Sequence, residues 1–239
     1  MKTEAVERLG RARPGGVVYT CEHASNRVPR GHRVDAPTRA LLRDHWGYDI
    51  GAAWVTRALA RVEDSAAVLG RTSRLVLDVN RAPDDASLIV AHTHDGAVSF
   101  NGAVSAGEHA ARVARWHAPF HEAVDAAMAA APARLLFSVH SFTPVWRGTP
   151  RDVEAGVLFD RHDDLAERLV ETLRGEGFRT EPNEPYSGKV GLIYSAARHG
   201  TRYGIPYLEI ELRQDLVRTR PLAEAVAARV RRALLASGA

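Results

Sequence analysis

The chain has one cysteine, Cys21, in 239 residues. It can form no internal disulfide, and that fits a reducing compartment. No run of about 18 apolar residues occurs, so no segment reads as a membrane span and no membrane partner is expected. The first residues, Met1-Lys2-Thr3-Glu4-Ala5-Val6-Glu7-Arg8, lack an apolar signal core, which predicts a cytoplasmic, unexported protein. A basic stripe with interleaved aromatics is missing too. Thirty-two Lys and Arg are scattered among twenty-nine Asp and Glu, for a net charge of +3, so no nucleic-acid partner is expected. There are no internal repeats and no long linkers.

What is present is enough apolar residue, 45%, for a substantial core. Residues 1–15 read as a polar lead-in to one domain spanning 1–239. Apolar runs at 17–19, 135–139, 157–159 and 207–212 read as strands, as do 68–73 and 74–79, and 178–181. Helical spacing is expected over 38–62, broken near Gly47, with Trp46, Ile50, Ala53 and Trp54 on one face. An Ala-rich helix spans 105–131, kinked at Pro119. Its Ser105 and Glu108 match a capping box. Further helices are expected at 163–176, 195–203 and 221–236, the last opened by Pro221. Residues 84–104 read as a loop. Strands alternating with helices predict an α/β fold with a largely parallel sheet.

Three strands stop in ligand-type side chains. Val17-Val18-Tyr19 runs into Glu22-His23, Leu135 to Val139 into His140-Ser141, and Tyr207 to Leu212 into Arg213-Gln214-Asp215. An open α/β sheet builds its site at such carboxyl edges. Two histidines in that position, with carboxylates nearby, point to a metal-dependent hydrolase. A catalytic zinc takes three protein ligands and leaves a position open. His23 and His140 are two. Asp49 is the chosen third, with Glu22 and Asn26 as rivals. Strand alternation would turn Glu22 away from His23, and Asn26 is a poor zinc ligand. In Glu209-Ile210-Glu211 both carboxylates fall on one side of the strand. A buried acid there needs a partner or a function. Asn80-Arg81 reads as a carboxylate clamp, because guanidinium offers a two-donor fork. Among the eleven histidines, His117 and His121 have zinc-like i, i+4 spacing, but no Glu lies between them in the metalloprotease pattern. They are set aside as ligands. His92, His94, His109, His162 and His199 have no supporting pattern.

Six runs in one order resemble the N-formylglutamate amidohydrolase family: Glu22-His23-Ala24-Ser25-Asn26, Asp44-His45-Trp46-Gly47-Tyr48-Asp49, Ser73-Arg74-Leu75-Val76-Leu77-Asp78-Val79-Asn80-Arg81, His140-Ser141-Phe142-Thr143-Pro144, Pro185-Tyr186-Ser187-Gly188, and Glu211-Leu212-Arg213-Gln214-Asp215-Leu216. The likeness runs from Val17 to Leu216. It implies a three-layer α/β/α phosphorylase/hydrolase-like fold with a mixed, largely parallel sheet, distantly akin to zinc carboxypeptidases. It also implies one zinc ion per chain, a metal-site His at His23 and at His140, Glu211 as the catalytic base, and Asn80-Arg81 on the substrate carboxylate. Ser141 and Ser187 are expected beside the substrate. Carboxypeptidases carry a zinc Glu three residues after the first His. Asn26 stands there in this chain, which is why Asp49 is considered.

The expected reaction is hydrolysis of N-formylglutamate or another N-formyl or N-acyl amino acid, on a small carboxylate-bearing partner, by a monomer or small homo-oligomer. The first motif departs from the Pro-His-Ala-Gly common in formylglutamate-cleaving members, which leaves the acyl amino acid open. The alternatives are a metallopeptidase or amidase on small peptides, and a non-catalytic metal-binding protein.

Overall fold

The computed structural model describes residues 1–63 and 65–239. A seven-stranded sheet is built from β1 (Val6–Leu9), β2 (Val17–Cys21), β3 (Ala67–Gly70), β4 (Leu135–Phe142), β5 (Ala155–Leu158), β6 (Thr180–Pro182) and β7 (Tyr207–Arg213), in the order β1-β3-β2-β4-β7-β5-β6. Strands β3, β2, β4 and β7 run parallel. At one end β1 pairs antiparallel with β3. At the other, β5 runs antiparallel to β7, and β6 parallel to β5. The sheet is therefore mixed and largely parallel, as expected. Residues 1–15 do more than lead in, since they supply the edge strand β1.

The described residues form seven α-helices, α1 (Ala36–Arg43), α2 (Ala52–Glu63), α3 (Ala106–Arg112), α4 (Ala118–Ala130), α5 (Asp163–Gly175), α6 (Tyr194–Tyr203) and α7 (Arg220–Ser237). Strand side chains alternate between faces. Tyr19, Phe137, Leu208 and Ile210 pack with α2, α5 and α7 in one buried cluster. Val18, Leu136 and Tyr207 pack with α4 and α6 in a second. Helices cover both faces, giving the three α/β/α layers.

From β2 the chain passes to β3 on one side and later to β4 on the other. The carboxyl ends of β2 and β4 thus meet at a topological switch point, where open α/β sheets place their crevice.

The expected helix 38–62 is two helices with a break at residues 44–51. Two glycines force it. A Cβ on Gly47 would sit 2.5 Å from the Leu42 carbonyl oxygen, and one on Gly51 (φ +88°) 2.2 Å from that of Val217. Trp46 and Ile50 lie in the break, not on a helical face, and Trp54 is exposed.

Residues 74–79, read as a strand, form buried turns instead. Their carbonyls go to side chains, not to a ladder: Leu75 to Asn101, Val76 to Arg112, and Val79 to His121. The distortion expected at Pro119 falls earlier. A π-helical turn, Val113–His117, joins α3 to α4 and ends two residues before Pro119. Proline lacks the N–H that an unbroken α-helix would use there. Ser105 Oγ accepts from Glu108 N as a capping box requires, but the Glu108 carboxylate goes to Arg112.

Candidate active site at the sheet's carboxyl edge

The site begins with strand register. Glu211 lies beside His140, Glu209 beside Ser138, and Thr20 also beside Ser138. Residues two apart share a face. Glu22, Ser138, His140, Glu209 and Glu211 therefore point to one side across three neighbouring strands. Alternation turns Glu22 toward His140, not out of the site. Its Oε2 accepts from Ser138 Oγ at 2.6 Å and lies 3.1 Å from His140 Nε2. His23 follows the end of β2, and Asp49 enters from the α1–α2 break, its N–H bonded to the His23 carbonyl.

Asp49 Oδ2 lies 2.8 Å from His140 Nδ1 and 3.4 Å from His23 Nδ1. One ligand atom from each of these three residues falls within 4.8 Å of the others. The far nitrogen of each ring is backed by a carboxylate. Asp78 Oδ1 is 2.7 Å from His23 Nε2, and Glu22 stands behind His140. A carboxylate behind each imidazole is how metal-ligating histidines are oriented and made more basic. The donor set is one a zinc ion accepts. Five buried carboxyl groups (Glu22, Asp49, Asp78, Glu209 and Glu211) crowd this edge, and one guanidinium, Arg74, sits among them, bonded to Asp78 at 2.7 Å and 3.7 Å from Asp49. That surplus of negative charge, with Glu209 Oε2 and Glu211 Oε2 buried and without hydrogen-bond partners among the described residues, suits a bound cation.

The same crowding sets the protonation states. Burial would raise the Glu22 carboxyl, but the hydrogen bond and charge of His140 outweigh it and hold it at about 2. Burial would likewise raise Asp49 and Asp78. The His23 charge and the His140 hydrogen bond hold Asp49 low, and the charges of Arg74 and His23 do so for Asp78. His140 is pushed well up, because Glu209, Asp49 and Glu22 overcome its desolvation. Glu209 rises to about 7, mainly from burial. Glu211 rises well above the usual carboxylate range, from burial and the nearby charges of Asp49 and Glu209.

A cavity of about 410 Å³ opens over these residues. Arg81 lines it, with Nε bonded to Ser87 Oγ and Nη1 to the Asn80 carbonyl. Its Nη2 has no protein partner among the described residues. Asn80 also lines it, but its amide is committed, donating to the Leu192 carbonyl and accepting from Ser195 N. Ser141 is at the wall, its hydroxyl given to the Ile50 carbonyl. Ser187 does not line the cavity. Its Oγ caps the short 3-10 turn Gly188–Val190, and the neighbouring Tyr186 faces the cavity in its place. Asn26 is exposed and away from the cavity.

Sequence reasoning missed Arg74 and Asp78 as site residues. Their i, i+4 spacing was a usable signal, hidden by reading 74–79 as a strand. The aromatic wall of His45, Trp46, Phe142 and Trp146 was also missed.

Behind Arg81 lies a second group of histidines. His117 Nε2 donates to the Arg81 carbonyl at 2.9 Å and His121 Nε2 to that of Val79 at 3.0 Å. His121 Nδ1 is 2.8 Å from His199 Nε2, whose Nδ1 is 2.9 Å from Asp125 Oδ1. This chain ties the Asn80-Arg81 segment to α4 and α6.

Among curated proteins, none matches this chain. Solved structures do. The gene product Atu2144 from Agrobacterium tumefaciens is 29% identical, with 99% of this chain and 97% of that one covered at a TM-score of 0.88. An N-formylglutamate amidohydrolase from Ralstonia eutropha JMP134 is 19% identical, with 96% and 99% covered at a TM-score of 0.68. At that identity the second likeness speaks for the fold. The sequence model of the N-formylglutamate amidohydrolase family matches residues 15–218, and the chain therefore belongs to that family of amide-bond hydrolases.

Proposed function

We propose that this protein hydrolyses the amide bond of N-formylglutamate or a related N-formyl or N-acyl amino acid, with zinc as its metal. The observation that carries the reading is the convergence of His23, Asp49 and His140 beneath a cavity that also holds Glu211 and Arg81. Zinc held by those three residues would supply a Lewis acid that polarises the scissile carbonyl and lowers the pKa of a water.

The chain's own groups do the rest. Glu211 takes a proton from the attacking water and returns it to the leaving nitrogen. Its raised affinity for a proton suits the donating half of that cycle, and its Oε2, without a hydrogen-bond partner among the described residues, is available for the accepting half. Arg81 grips the substrate carboxylate through Nη2, while Asn80 holds the segment in place from Leu192 and Ser195. Asp78 and Glu22 fix the two imidazoles, and Arg74 steadies Asp78. The products are formate, or another acid, and the free amino acid.

The test is formate release from N-formyl-L-glutamate and its analogues by protein stripped with chelator and then given zinc. Zinc-dependent release is expected. Stoichiometric zinc without release from any N-acyl amino acid would sink the reaction; failure to bind zinc would sink the ligand set.

A further inference from the structure

The cavity's cations and walls carry the substrate question further than the family does. A glutamate derivative brings two carboxylates. The cavity has two arginines to meet them, Arg74 and Arg81. Arg74 is already taken, with Nη2 on Asp78 at 2.7 Å and Nη1 3.7 Å from Asp49. Its charge is thus shared between two buried carboxylates, whereas Arg81 stands in no ion pair among the described residues and bonds only Ser87 Oγ and the Asn80 carbonyl. One carboxylate is therefore matched and a second is not. It would meet a site that already holds five buried carboxyl groups, and an unpaired charge in such a place is strongly disfavoured.

The rest of the cavity is built for a different side chain. Trp46 and Trp146 stand 5.9 Å apart, centroid to centroid, and both line the cavity with Phe142, Leu75 and Val90. The two indoles are fixed in place. Trp46 Nε1 donates to Asp95 Oδ2 at 2.6 Å, from the loop of the short ladder His92–Thr93/Gly96–Ala97. Trp146 sits on a second ladder, Val145–Trp146/Thr149–Pro150, closed by Arg147 and Gly148 at φ 49° and 80°. Two positive φ values in a two-residue turn suit the right-handed twist of a hairpin. Arg151 stacks on Phe142, Trp146 and Tyr186 at 5.2–5.5 Å and donates to Thr143 and Tyr186. It braces the wall from outside the cavity lining.

We infer that this cavity selects N-acyl amino acids that carry a single carboxylate and an aromatic or large apolar side chain, in preference to N-formylglutamate. The inference rests on the amidohydrolase reading above. Arg81 takes the α-carboxylate, the scissile amide lies toward His23 and Glu211, and the side chain packs against the Trp46–Trp146 pair. An aromatic pair of this kind adds to the burial of an apolar side chain.

The experiment compares N-formyl-L-phenylalanine, N-formyl-L-leucine and N-formyl-L-glutamate on the zinc-supplemented protein. In parallel, calorimetry measures binding of L-phenylalanine and L-glutamate. The expected result is a kcat/KM for the phenylalanine and leucine derivatives at least about tenfold above that for the glutamate one, the scale on which an apolar pocket discriminates. Trp146→Ala should remove most of that preference, by lowering kcat/KM for the phenylalanine and leucine derivatives more than for the glutamate one. Trp146→Leu, which keeps an apolar side chain on the hairpin, should fall between. Equal or better turnover of N-formyl-L-glutamate overturns the inference and leaves the amidohydrolase reading intact. No turnover of any derivative, with L-phenylalanine still bound at least about tenfold tighter than L-glutamate, supports the cavity inference and removes the reaction. No turnover and no binding preference removes both.

Discussion

Two buried groups of histidines stand on either side of residues 78–81, and they differ in what surrounds them. His23 and His140, at strand ends, face carboxylates: Asp49 between them, Asp78 and Glu22 behind, Glu209 and Glu211 beside. That set has more negative charge than its own cations balance, and three of its buried carboxylate oxygens, on Glu22, Glu209 and Glu211, lack hydrogen-bond partners among the described residues. His117, His121 and His199, on helical segments, face carbonyls and one another, with Asp125 at the end of the chain. There burial pulls all three imidazoles below their ordinary range, His121 to about 2. A site left electrostatically incomplete waits for a ligand; a site complete in itself is scaffold. The i, i+4 spacing of His117 and His121 resembles metal chemistry, but their environment is that of a tether.

Mutating one member of each group tests the contrast most severely. His140→Ala should abolish zinc retention after dialysis and bring amide hydrolysis to background, whereas His121→Gln should keep stoichiometric zinc. Equal zinc loss in both would erase the distinction. Glu211→Gln comes next. It should retain zinc and lose roughly 10²–10⁴ in kcat, the range for a general acid–base; retained turnover would remove Glu211 from the mechanism.

Acid should act on the second group through linkage. The folded state holds His121 at about 2 against an ordinary 6.5, so the unfolded chain binds the proton first. Stability contributed by the neutral ring is full above pH 6.5 and is lost as pH falls toward 2. Between pH 7 and pH 5 the loss from this one buried group is about 2 kcal/mol. Urea titrations at both pH values should show it, with a shallower pH dependence in His121→Gln. An unchanged dependence would mean that His121 does not titrate as described.

The smallest effect concerns the tether. His117→Ala frees the Arg81 carbonyl and loosens the clamp. KM should rise by several-fold to about tenfold with kcat little changed, the scale of one hydrogen bond near 1 kcal/mol. A fall in kcat with KM unchanged would contradict a positioning role.

Much of this was legible in the chain. The strands Val17–Cys21, Leu135–Phe142 and Tyr207–Arg213 and the helices Asp163–Gly175 and Arg220–Ser237 fall within a few residues of their expected bounds, because strands buried on both faces leave a continuous apolar run and helices buried on one face leave a helical apolar period. His23 and His140 are read from strand ends, and Asp49 from the helix expected after the first strand; the structure puts Asp49 in a break between two helices instead. Residues 74–79 were misread because their apolar pattern fits a strand equally well. Only the side chains of Asn101, Arg112 and His121, arriving from later in the chain, satisfy those carbonyls without a ladder.

What the sequence determined by itself was local and periodic: which segments are apolar every second or every third and fourth residue, where glycine and proline interrupt them, and which ligand-type side chains stand at the interruptions. Register across three strands was decided only in the tertiary structure. It set Glu22 behind His140 rather than away from the site, while the packing of the connecting segments over that edge brought Asp78 to His23, and Trp46 and Trp146 together from segments a hundred residues apart in the sequence. The physical reason is that charge and hydrogen bonding in a buried site depend on every neighbour within a few ångströms, and most of those neighbours are distant along the chain.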